Sequence, residues 1–95
     1  MPVKRLILDA LKPLRNPGIE ELALALESIP GVEAVNITVK EFDVDSVTLI
    51  IAIEGENIDV SKVRKKLDEY GVAIHGVDQI IAGRRVIEIP SYYFE

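Results

Sequence analysis

The chain has 95 residues, which fits a single domain, and 48% of them are hydrophobic, so it is too apolar to be intrinsically disordered. Its 11 basic and 16 acidic residues give a net charge of −5, which argues against nucleic acid or an anionic membrane as a partner. Cysteine is absent, which excludes disulfides, thiolate catalysis and cysteine-ligated metals.

The hydropathy pattern predicts a cytoplasmic protein without a membrane partner. No stretch approaches the roughly 20 apolar residues of a membrane helix. The first apolar run is soon interrupted by Asp9, Lys12 and Pro13, which is unlike a signal peptide. The scarcity of Asn and Gln beside abundant Ile, Val, Glu and Lys favours a thermophilic source.

The first predicted element is a strand over residues 3–12. Pro13 is expected to end it, because proline cannot donate a hydrogen bond to a central ladder. Asn16 is predicted to cap the first helix, with Pro17 at its first helical position. That helix is expected to stop at Pro30.

Two strands follow, over residues 32–42 and 47–54, and alternating apolar residues predict that they form a hairpin. Asp59 is predicted to cap a second helix, which ends at Gly71. Residues 72–82 are predicted to form the fourth strand.

After the fourth strand, Gly83 and Arg84 predict a tight turn into a further hairpin strand over residues 85–89. The order β-α-β-β-α-β predicts an α+β fold of the ferredoxin-like, split βαβ kind. We expect a four-stranded antiparallel sheet of order 4-1-3-2 with both helices on one face. The chain is then one domain over residues 1–95, with a core at 3–83 and a C-terminal extension at 84–95.

Four strings of the sequence are familiar: KRLILDALKP at 4–13, GVEAVNITV at 31–39, IEGENID at 53–59 and IHGVD at 74–78. Together they resemble a small archaeal family of unknown function, the domain-of-unknown-function family numbered two hundred and eleven. The resemblance covers residues 3–83 and implies a ferredoxin-like subunit, ring-like homo-oligomers and no assigned reaction. A serine follows the histidine in that family, whereas this chain has Gly76.

Asp9 stands out because aspartate is disfavoured in the middle of a strand. Strand alternation predicts that it lies on the sheet face away from the helices, and the internal repeat places Asp78 on the same face. Such a pair suggests a proton-holding site or weak binding of calcium or magnesium, the only cofactor that the sequence suggests. We favour the simpler interpretation that Asp9 forms an ion pair with Arg5, Lys12 or Lys40 on an exposed or intersubunit face.

Other polar residues give weaker signals. The turn residues Glu41, Asp43 and Asp45 are an alternative metal site, although they lack the EF-hand pattern and a solvated turn is favoured. His75 is a possible polar site, but we expect a partly buried histidine with one satisfied nitrogen. No catalytic set of nucleophile, base and acid can be assembled, and no phosphate-binding glycine motif is present.

The end of the chain concentrates three of its five aromatic residues, Tyr92, Tyr93 and Phe94. Such clusters mark contact surfaces, so they are predicted to be oligomer contacts, with folding back onto the same subunit as the alternative. We therefore expect a non-catalytic homo-oligomer, a closed ring, that responds to a small ligand or a divalent ion. The alternative is an enzyme with a site of carboxylates and His75 between subunits.

Overall fold

A computed structural model describes residues 2–94 of the chain. Its four strands form one antiparallel sheet of order β2-β3-β1-β4, which confirms the predicted order. Both helices connect strands in the expected βαββαβ pattern. The elements are β1 (Val3–Pro13), α1 (Ile19–Glu27), β2 (Val32–Phe42), β3 (Ser46–Gly55), α2 (Val60–Glu69), β4 (Ala73–Ala82) and a short 3₁₀ helix, η1 (Ser91–Phe94).

The core lies between one face of the sheet and the two helices. On the two central strands, every second side chain points into this layer and is almost completely buried. Each fully buried aliphatic side chain stabilises the fold by about 1.5–3 kcal/mol. The central strands contribute Leu6, Leu8 and Ala10 from β1 and Val47, Leu49, Ile51 and Ile53 from β3, against Leu22 and Leu26 of α1 and Val63 and Leu67 of α2.

The first helix begins later than predicted. Its N-cap is Gly18, whose carbonyl accepts the first helical hydrogen bond from the amide of Leu22 at 3.0 Å. Asn16 is therefore not the cap, and Pro17 precedes the helix. Pro17 is buried.

The second helix has the predicted boundaries. The Asp59 side chain accepts hydrogen bonds from the amide of Lys62 at 3.1 Å and from the hydroxyl of Ser61 at 2.9 Å. These bonds hold the pKa of Asp59 below its usual range. Gly71 follows the helix with a φ of +73°, the left-handed conformation that glycine adopts at a helix C-terminus.

The prediction of a hairpin strand over residues 85–89 is wrong. Within residues 2–94, this stretch pairs with no strand. The Gly83 amide donates to the carbonyl of Pro2 at 2.8 Å, which extends the contact between β4 and β1. The chain then carries Glu88 to Arg5 of β1 instead of returning along the free edge of β4. We call residues 83–90 the C-terminal segment and Ser91–Phe94 the aromatic tail.

Candidate functional site

The sheet face opposite the helices, here called the helix-free face, is formed by the side chains that alternate with the core residues. Its central part is apolar and only half-buried, because no helix packs against it. Most monomeric proteins keep such patches small. The two central strands contribute Arg5, Ile7, Asp9 and Leu11 from β1 and Thr48, Ile50, Ala52 and Glu54 from β3.

Asp9 lies at the centre of this face, as predicted. Ile50 is directly opposite it on β3, and Gly76 is directly opposite it on β4. Its Oδ1 atom exposes less than 1 Å² and has no hydrogen-bond partner among residues 2–94. Most buried polar atoms in proteins have a partner, so this carboxylate oxygen calls for an explanation.

Within one copy, Asp9 forms none of the expected ion pairs with Arg5, Lys12 or Lys40, and an ion pair between subunits stays a prediction. None of the ion pairs among the described residues includes Asp9. Lys12 has the same strand parity as Ala10, so its side chain lies on the core side, where Nζ donates to the carbonyls of Pro13 and Leu14 at 3.0 and 3.3 Å.

Arg5 is a cation of the helix-free face, and it is bound to carboxylates other than that of Asp9. Its Nε lies 2.8 Å from Oε2 of Glu54, and its Nη1 lies 2.8 Å from Oε1 of Glu88 and 3.2 Å from Oε1 of Gln79. The hydrogen bond with Glu88 raises the pKa of Arg5 and lowers that of Glu88. This cluster attaches the C-terminal segment to one end of the face.

Ile81 supports the same arrangement. It is opposite Arg5 on β4 and is buried, yet it does not belong to the core cluster between sheet and helices. Neither the burial of Ile81 nor the Arg5 cluster was predicted from the sequence. Strand alternation could have indicated the place of Arg5, because Arg5 and Asp9 lie on the same face of β1.

Two β-bulges alter the predicted arrangement of β4. Asp78, predicted to share the face of Asp9, is the extra residue between the pairs Ile7–Gln79 and Leu8–Val77, and Gly76 is opposite Asp9. Asp78 is exposed. Its pairing with Asp9 around a cation stays a prediction.

His75 is the extra residue of the second bulge, between the pairs Asp9–Gly76 and Ala10–Ile74. It is exposed, so the expectation of a partly buried histidine is wrong. As the unpaired residue of a bulge, His75 does not follow the alternation on which that expectation was based.

The acidic turn closes the β2–β3 hairpin. Asp43 Oδ1 accepts a hydrogen bond from the amide of Val44 at 2.8 Å, and the amide of Asp43 donates to the carbonyl of Ser46 at 2.9 Å. Glu41 and Asp45 are exposed. Within residues 2–94, no three or more Asp, Glu, His or Cys side chains group together in a way that could hold a metal ion.

The aromatic tail extends from the C-terminal segment with its rings exposed. Tyr92, Tyr93 and Phe94 expose 64%, 68% and 75% of their surface. The rings of Tyr92 and Tyr93 stack with centroids 4.8 Å apart. In the single chain, therefore, all three aromatic side chains of the tail remain largely exposed to solvent.

Similarity to known proteins extends over almost the whole chain. The model of the DUF211 family, described as "Uncharacterized ArCR", matches residues 4–95. The chain belongs to this family. The match includes the C-terminal segment and the aromatic tail, which lay outside the resemblance seen in the sequence.

A relative from Methanocaldococcus jannaschii, "Uncharacterized protein MJ0319", supports the family assignment. It is 37% identical to this chain over 86 residues, which cover 90% of this chain and 88% of the relative. Within residues 2–94, no helix has both the length and the apolar content to cross a membrane.

Proposed function

We propose that this DUF211 chain is a non-catalytic subunit of a homo-oligomer, and that the helix-free face is its contact surface. The observation that supports this most directly is the unpartnered Asp9 oxygen at the centre of a half-buried apolar patch. A buried acceptor without a donor is costly in a single chain. A second copy could supply both a donor and apolar cover.

The size of the domain supports association. A chain of 95 residues buries a smaller share of its surface than a larger domain and gains stability when copies associate. Edge-to-edge pairing of sheets is a poor route, because bulges interrupt β2 and β4, the two edge strands. The faces and the aromatic tail are better contact surfaces than the edges.

A closed ring is the form we propose for the assembly. The aromatic tail and the helix-free face are different surfaces, so a contact in which each copy passes its tail to the next copy is of the head-to-tail kind. Head-to-tail contacts generate a ring when the rotation between copies closes, and they leave no free contact surface there.

The test is the mass of the protein in solution, measured by light scattering and native mass spectrometry over a range of micromolar concentrations. We expect a multiple of the 10.5 kDa chain mass, and native spectra also report any retained small molecule. Ile50→Glu places a charge at the centre of the face and is expected to reduce the mass to that of the monomer. A wild-type chain that is monomeric at these concentrations would refute the proposal.

Leu24→Glu provides a matched control. Leu24 lies on α1, away from the helix-free face, and exposes 70% of its surface. The same charge is introduced there at an apolar position, so the control separates loss of a specific face from a general effect of charge. We expect the Leu24 variant to keep the wild-type mass, with circular dichroism confirming that both variants are folded.

A further inference from the structure

Asp9 needs a hydrogen-bond donor that residues 2–94 do not supply. Its Oδ1 has no partner among them, and Arg5, on the same face of β1, is already bound to Glu54 and Glu88. Asp9 as a whole is half-buried, so a donor on a second copy can approach its carboxylate from above the helix-free face.

The position beside Asp9 leaves room for such a group. Gly76 is opposite Asp9 and carries no side chain, and a Cβ added to Gly76 would meet no atom within 4 Å. Three neighbours of Asp9 on this face are apolar, namely Ile50 opposite it on β3 and Ile7 and Leu11 along β1. A fitting occupant therefore combines a flat apolar body with one hydrogen-bond donor.

The aromatic tail has this composition. Tyr92 and Tyr93 each combine an apolar ring with a hydroxyl that donates a hydrogen bond, and Phe94 adds a third ring. All three are more exposed than buried in the single chain, where Asp9 also stays without a partner. A tail and a face that are both unsatisfied within one copy can satisfy each other between two copies.

Attachment of the C-terminal segment supports this arrangement. Glu88 is held by Arg5 at one end of the helix-free face, which fixes the point from which the aromatic tail extends. Pro90 cannot donate to a sheet ladder, and the amide of Tyr93 donates to its carbonyl at 3.1 Å, so the tail leaves as a short turn of helix rather than as a strand.

We propose that the aromatic tail of one copy docks on the helix-free face of the next copy, where a tyrosine hydroxyl of Tyr92 or Tyr93 donates a hydrogen bond to the Asp9 carboxylate. This inference rests on the proposed function, since it requires a homo-oligomer. It adds the identity of the two contacting surfaces and the polar contact that fixes their register.

The first experiment asks whether the contact forms between copies. Two full-length variants are prepared: a face variant, Ile50→Glu, and a tail variant with Tyr92, Tyr93 and Phe94 all changed to Ser. Each alone lacks one half of every contact and is expected to be monomeric. Mixed in equal amounts, they retain one intact tail and one intact face, so native mass spectrometry should show a heterodimer with one chain of each kind.

The second experiment tests the hydrogen bond with conservative changes. Tyr92→Phe and Tyr93→Phe keep the rings and remove one hydroxyl each. One of them is expected to weaken association about 10-fold to 100-fold, as for loss of a hydrogen bond to a charged group. In an Asp9→Asn background the same change should have a much smaller effect, because the charged acceptor is already lost.

The outcomes separate this inference from the proposed function. The docking of the tail would be overturned if the wild type is an oligomer and the tail variant keeps the same mass. It would also be overturned if the face and tail variants form no heterodimer when mixed. Either result would leave the homo-oligomer in place. Equal effects of the Tyr→Phe changes with and without Asp9 would overturn the hydrogen bond. A monomeric wild type would overturn both.

Discussion

Replacement of Asp9 by leucine is expected to stabilise the dissociated chain. The variant removes a carboxylate whose Oδ1 is buried without a partner and extends the apolar surface of Ile50 and Ile7. An unsatisfied buried polar group costs about 1–3 kcal/mol, and Asp9 as a whole is only half-buried, so we expect a gain of about 1–2 kcal/mol in the free energy of unfolding. For a domain of this size, that corresponds to a melting temperature higher by about 5–15 °C.

The assay is thermal unfolding followed by circular dichroism in dilute protein, at a concentration where light scattering shows monomers. Asp78→Leu is the matched control, because it makes the same change at an exposed position of the neighbouring strand, where surface substitutions are usually within about 0.5 kcal/mol. An Asp9→Leu chain that melts at or below the wild-type temperature would show that the carboxylate is satisfied within one copy, and the reasoning would fail.

Three further results are expected. Gly31→Ala should destabilise the chain strongly, because φ is +89° and the added Cβ would lie 1.9 Å from a backbone oxygen, whereas Gly76→Ala should leave the melting temperature nearly unchanged. Arg5 lowers the pKa of Glu88, so this carboxylate stabilises the fold above its ordinary pKa and loses the effect as the pH falls through the lowered value. NMR relaxation should therefore show that the C-terminal segment is ordered at neutral pH and becomes mobile in acid. Relaxation of the segment that is the same at neutral and at acid pH would contradict this. Calorimetric titration of calcium into chelator-treated protein should give the same heat for the wild type and for Asp9→Asn. Calcium takes about six to eight oxygen ligands, and no three acidic or histidine side chains within residues 2–94 group together in a way that could hold a metal ion. A binding heat that is present in the wild type and lost in the variant would favour the cation site.

The sheet was predictable because its signals are local and mutually consistent. Alternation on β1 placed Leu6, Leu8 and Ala10 in the core and Asp9 on the other face, and the cap at Asp59 fixed the start of α2. Each of these depends on residues within a few positions along the chain. The order of the strands then followed from the short connections and the handedness of the crossovers.

The details of β4 and of the chain end were not predictable in the same way. Alternation fails at a bulge. Gly76, inside the strand pattern, is compatible with a bulge but does not indicate which neighbouring residue is inserted. Likewise, the stretch after Gly83 has the apolar alternation of a strand, but in the structure it places Glu88 beside Arg5, which is 83 positions away. Contacts of this kind depend on the folded sheet and have no local pattern.

Asp9 connects the energetic argument with the proposed assembly. In one copy it is a cost, because the half-buried carboxylate lacks a donor; between copies it fixes where a tyrosine hydroxyl must sit. A purely apolar face would bind a neighbouring chain in several registers, whereas one acceptor at its centre favours a single register. Polar groups retained at apolar contacts have this specifying effect in some systems, notably in coiled coils. The combination makes opposite predictions for one substitution: Asp9→Leu should raise the melting temperature of the dilute chain and also broaden or weaken its association. A residue that merely tolerated burial would change the first property without the second.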